Sequence, residues 1–110
     1  MQGEFDSISY ESSVVYKIKG KDLIEEIKNK FGKDVVFIDA KVTDWNLVLP
    51  SCYQYIVNEA KINISMNEKQ SYMISSVALT KKKDTVSHYD AKSEFKLGKR
   101  FGEMILQNCY

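Results

Sequence analysis

Histidine, tryptophan and proline occur once each in these 110 residues, cysteine occurs twice, and arginine stands only at position 100. A lone His88 cannot build a histidine-based metal site, and no acidic cluster with ligand spacing compensates for it. The sequence therefore predicts no metal and no cofactor. Cys52 and Cys109 fit no CxxC or zinc spacing. They read as plain thiols in a reducing compartment or, in an exported protein, as the one bridge that two cysteines allow. Fifteen lysines beside the single Arg100 leave the chain without the usual tool for bidentate phosphate or base recognition. No apolar run reaches the roughly 20 residues that span a bilayer. Met1–Asp6 is polar and acidic and does not read as a signal peptide. A cytoplasmic location is favoured, with an exported or lipid-anchored domain that has lost its leader as the alternative. A phosphate cradle is missing too: Gly98-Lys99-Arg100-Phe101-Gly102 lacks the GxxxxGK[ST] spacing.

The remaining composition is that of a folded domain. Hydrophobic residues make up 44% and charged residues 28%, with a net charge of +1, close to globular averages. Residues 1–110 read as a single domain in which residues 1–6 form a flexible lead. From Ile8 to Ile18, Ile8, Tyr10, Val14, Tyr16 and Ile18 fall on even positions, the period-two signature of a strand ending at Gly20. Leu23, Ile24, Ile27 and Phe31 then recur every three to four residues, predicting a helix over Lys21–Phe31 closed by Gly32. Val35-Val36-Phe37-Ile38 is apolar on both sides and predicts a central strand. Around Trp45, Leu47 and Leu49 the pattern fits either one bent strand or a hairpin, broken at Pro50-Ser51.

Cys52 to Met66 again alternates, with a parity switch near Asn58-Glu59 that predicts a bulged strand. Asn67-Glu68-Lys69-Gln70 would turn a hairpin into a return strand over Ser71–Thr80. A final helix is expected from Ser93 to Asn108, capped by Ser93 or Asp90, with Leu97, Phe101, Met104 and Ile105 as its stripe. Gly98 and Gly102 share a face there, which predicts close packing against the sheet. The resulting fold class is α+β. It is a two-layer sandwich with a largely antiparallel sheet of four to five strands and two helices on one face, in the order β-α-β-β-β-α.

No motif in this order demands catalysis. His88 could act as a general base for Cys52 or a serine, oriented by Asp84 or Asp90, but no spacing requires it. Glu25-Glu26 reads as a solvated helix face. The sequence thus points to a non-enzymatic module that binds a protein partner or a second copy of itself. Trp45, Tyr53 and Tyr55 are its candidate anchors, because aromatic residues dominate interfaces. The alternative is a nucleic-acid-binding domain, since the last thirty residues carry a net charge of +3. Lys81, Lys82, Lys83, Lys99 and Arg100 would then meet phosphates. A small Cys/His-based enzyme ranks behind both.

Overall fold

A computed structural model describes residues 3–43, 53–83 and 88–109. Three helices and two strands alternate along the chain: α1 (Tyr10–Phe31), β1 (Phe37–Ala40), α2 (Gln54–Asn67), β2 (Ser71–Ile74) and α3 (Ala91–Cys109). The strands pair in parallel, with Phe37 opposite Ser71 and Ala40 opposite Ile74. The expected antiparallel sandwich of four to five strands is therefore overturned: the described residues are mostly helical around one short parallel pair.

The first correction concerns Ile8–Ile18, which begins a 22-residue helix rather than a strand. Tyr10, Val14 and Ile18 are spaced by four, an interval that satisfies both a period of two and the turn of a helix. Helix initiation decides between them: the Ser9 side chain accepts the Ser12 N–H at 3.1 Å from an extended N-cap. The buried positions are Ser13 and Ile24, while Tyr10, Val14 and Ile18 stay exposed. Gly20 is no strand end. It lies within α1 where α2 comes close, and a Cβ there would stand 2.9 Å from Ile64 Cδ1. The helix expected over Lys21–Phe31 is the second half of α1. It ends at Gly32, whose φ of 112° and N–H bond to Lys28 O at 2.9 Å make the glycine stop.

The second correction is α2, read from sequence as a strand. Val57, Ala60, Lys61 and Ile64 are all buried, which is an i, i+3, i+4, i+7 face. A lysine in that face disguised the helical period. Asn67–Gln70 consequently turns no hairpin; it carries the chain out of α2 into β2, with Gln70 at a φ of 56°. Beyond Ile74 the predicted return strand does not continue. Residues 3–7 fold as a turn on α2, where Gly3 faces Val57. Tyr53 N–H donates to Ser7 O at 2.8 Å. The alternation around Trp45, the break at Pro50-Ser51 and Cys52 lie outside the described residues.

α3 forms where periodicity placed it, but Gly98 and Gly102 do not pack closely: a Cβ at either meets nothing within 4 Å. Replacing each with alanine should therefore raise stability by about 1 kcal/mol through helix propensity alone. Thermal unfolding followed by circular dichroism checks this; a lowered midpoint at either position would show that the space is needed.

Candidate functional site

The loops that leave β1 and β2 both emerge at the carboxyl ends of the parallel strands, the edge at which open α/β sheets place their ligands. The loop after β2 is built in two steps. Arg100, from α3, donates to Ser75 O at 2.6 Å and to Val77 O at 2.8 Å, clasping the chain as it leaves the strand. Residues 80–82 then run antiparallel to residues 88–90. Lys82 N–H donates to His88 O at 3.0 Å, and Asp90 N–H donates to Thr80 O at 3.1 Å. Lys81 and Tyr89 form an antiparallel bridge between those bonds.

This short ladder leads directly into α3. Ser93 N–H donates to Asp90 Oδ1 at 2.8 Å, so Asp90 caps the helix. The Thr80 hydroxyl donates to Asp90 Oδ2, and Thr80 N–H donates to Ser93 Oγ at 2.7 Å. These bonds hold the Asp90 carboxyl below its ordinary 3.8, the Thr80 hydroxyl contributing most and the Ser93 N–H next. The Tyr89 side chain is buried. Its hydroxyl is pushed above its usual range by desolvation first and by Glu4 second, against a hydrogen bond to Thr43. That bond ties the loop after β1 to the loop after β2. His88, at the far end of the ladder from the cap, is exposed. The backbone carbonyl of His88 is thus held by the Lys82 N–H, two residues before the Asp90 cap.

The residues singled out from sequence do not converge. Tyr53 precedes α2 and packs edge-on against Tyr10, with ring centroids 5.8 Å apart. Tyr55 is exposed on α2, so the two tyrosines share no strand face. Trp45 and Asp84 lie outside the described residues. Lys81, Lys82 and Lys83 are exposed on the loop. Lys99 sits 3.8 Å from Glu103 one turn along α3. Arg100 holds backbone carbonyls. Asp90, a candidate to orient His88, has its carboxylate engaged by Thr80 and Ser93. Cys109 is a free, exposed thiol, and Cys52 lies outside the described residues. Among the described residues no three of His, Cys, Asp and Glu gather as a metal site, and no helix is long and apolar enough to cross a membrane.

Sequence reasoning missed the pair that anchors β1. Lys61, only 3% exposed, places Nζ 3.1 Å from Asp39 and 2.7 Å from Ala40 O. Burial holds its ammonium below the ordinary 10.5, and the Asp39 charge opposes that shift only in part. Tyr16 faces the same group, with its ring centroid 5.8 Å from Nζ. Desolvation and then the Asp39 charge push its hydroxyl far above 10.0. The signal in the sequence was a lysine at i+4 from Val57 and i−3 from Ile64, visible only once the segment is read as a helix.

Residues 1–107 match one family, described as SASA: carbohydrate esterase, sialic acid-specific acetylesterase. The chain belongs to that family. No curated protein and no solved structure matches it. The family overturns the expectation of a non-enzymatic binding module and points instead to a hydrolase. The expectation failed because an esterase needs only one histidine and a hydroxyl brought together by the fold, and separated residues leave no local motif.

Two outcomes test this geometry. Replacing Asp39 with alanine strands a buried ammonium and frees Ala40 N–H, so stability should fall by about 3–5 kcal/mol in urea unfolding; Lys61→Met should cost clearly less. Because the fold lowers the Asp90 proton affinity, the unfolded chain binds that proton more tightly. Its stabilising contribution is present above about pH 4 and fades on further acidification. Asp90→Asn, which keeps an acceptor for the cap, should therefore lose less stability than the parent chain when unfolding is compared at about pH 5 and about pH 3.

Proposed function

We infer that this chain hydrolyses acetyl esters carried on hydroxyl groups of a carbohydrate of the sialic acid class, with His88 as general base. The observation that carries the reading is the position of the only histidine. It is exposed beyond β2, its backbone carbonyl accepts the Lys82 N–H, and Asp90 two residues later caps α3. Membership of an acetylesterase family supplies the class of substrate.

The chemistry asked of His88 is limited and balanced. An imidazole nitrogen removes a proton from an attacking water as the water oxygen bonds to the acetyl carbonyl carbon. The electron pair of the C=O bond moves onto oxygen in the tetrahedral intermediate. When that intermediate collapses, the bond to the sugar oxygen breaks, and the imidazolium returns the proton to the departing sugar hydroxyl. Such proton transfer contributes typically about 10²–10⁴-fold. Thr80, Asp90 and Arg100 take no part in the bond changes; they position the segment that carries the ring. The 80–82 ladder matters because a loop histidine displaced by even about 1 Å loses much of its effect.

Acetate release from an O-acetylated sialic acid tests the proposal. The parent chain should release acetate, and His88→Ala should lower kcat by about 10²–10⁴-fold with circular dichroism unchanged. Turnover unaffected by that substitution would remove His88 from the chemistry. No release from any O-acetylated sugar would end the esterase reading.

A further inference from the structure

α1 packs chiefly on α2, and between α1 and the strands it leaves a cavity of about 370 Å³. Leu23, Ile24, Phe37 and Ile64 supply apolar wall, and Tyr72 adds a ring. Two cations line the space, Lys19 and Lys61, and two anions, Asp6 and Asp39. Lys61 is engaged by Asp39 and Ala40 O. The ionic lining therefore balances and selects no net charge on an occupant.

One polar group on the wall is unsatisfied. Ser71, opposite Phe37 at the start of the strand pair, is 4% exposed, and its Oγ has no hydrogen-bond partner among the described residues. Leaving a buried hydroxyl unpaired is unfavourable, and native structures rarely tolerate it without a water, an ion or a ligand. The size of the space is also informative. A dry apolar cavity of about 150 Å³ already admits a benzene-sized guest, so this one has room for a ring with substituents. It lies beside the amino-terminal half of the strands, whereas His88 stands beyond their carboxyl ends.

We propose that this cavity is a second binding site, distinct from the His88 edge, for a small uncharged amphiphile: an apolar ring or branched chain with one hydroxyl or carbonyl group that pairs with Ser71 Oγ. The apolar body displaces water from Leu23, Ile24, Phe37 and Ile64. The polar group completes the hydrogen bond that the fold leaves open. The site needs no turnover and stands whether or not the chain hydrolyses esters.

Benzyl alcohol and its isostere ethylbenzene are the probes, titrated into the ¹⁵N-labelled chain and followed by amide resonances. Benzyl alcohol should shift Phe37, Ile38, Ser71 and Tyr72 and bind about fivefold more tightly than ethylbenzene, the preference expected of one added hydrogen bond. Ser71→Ala should abolish that preference while leaving ethylbenzene binding intact, and Leu23→Trp should fill the mouth and weaken both. Equal affinity for the two probes, a preference that survives Ser71→Ala, or shifts confined to other residues would overturn the site. So would a chain to which neither probe binds.

Discussion

The ammonium group of Lys61 determines how the strands and helices meet. In the parallel register, Phe37 and Lys41 direct their N–H groups to β2, bonding Gln70 O at 2.9 Å and Ile74 O at 3.1 Å. By alternation, the N–H and C=O of Ala40 point away from β2, toward an open edge. Both are met by side chains: Ala40 N–H donates to Asp39 Oδ1 at 2.8 Å, and Ala40 O accepts from Lys61 Nζ. At the next outward position Asn58 repeats the device, donating to Val42 O and accepting from Val42 N–H, each at 2.8 Å. The outer edge at the end of β1, at Ala40 and at Val42 beyond it, is thus closed off by Asp39 and by Lys61 and Asn58 of α2, and a charged group at that edge also discourages a stray strand from adding there. A two-stranded sheet is too small to persist without such support.

The same arrangement delivers the candidate site. Once α2 fixes β1 along Ala40 and Val42, Thr43 is placed to bond Tyr89. The loop after β2 is drawn in by Arg100 and by the Thr80–Asp90–Ser93 network. What begins as a buried ion pair on one side of the molecule ends in a defined backbone for His88 on another. The ion pair by itself is weak evidence of net stability, because desolvating Lys61 offsets much of the attraction. Its importance is geometric: it specifies which atoms of β1 face α2.

An exposed histidine can reach a carbohydrate that no deep pocket would admit, provided its backbone does not drift. The cavity beneath α1 follows from the other feature of the packing. Gly20 lets α1 approach α2 closely at Ile64, and the helix is held there rather than against the strands. Ser71 is left at the wall of the gap that results.

The sequence by itself determined the elements whose signals are local. The glycine stop at Gly32, the helix leading into it, the apolar run that becomes β1 and the capped final helix are each specified by residues within a few positions of one another. It also determined that the only histidine is His88. Tertiary structure decided the rest. Residues spaced by four fit two periods, so Tyr10, Val14 and Ile18 could not announce a helix whose buried face is built on Ser13, Gly20 and Ile24. Lys61 could not mark the core of α2, because a lysine is tolerated there only when Asp39 and Ala40 O arrive from a strand more than twenty residues away. The direction of β2 relative to β1 was equally hidden, since it depends on α2 crossing between them. His88 acquired its setting in the same way: a single imidazole carries no sign of chemistry until partners distant in the chain fix where it stands.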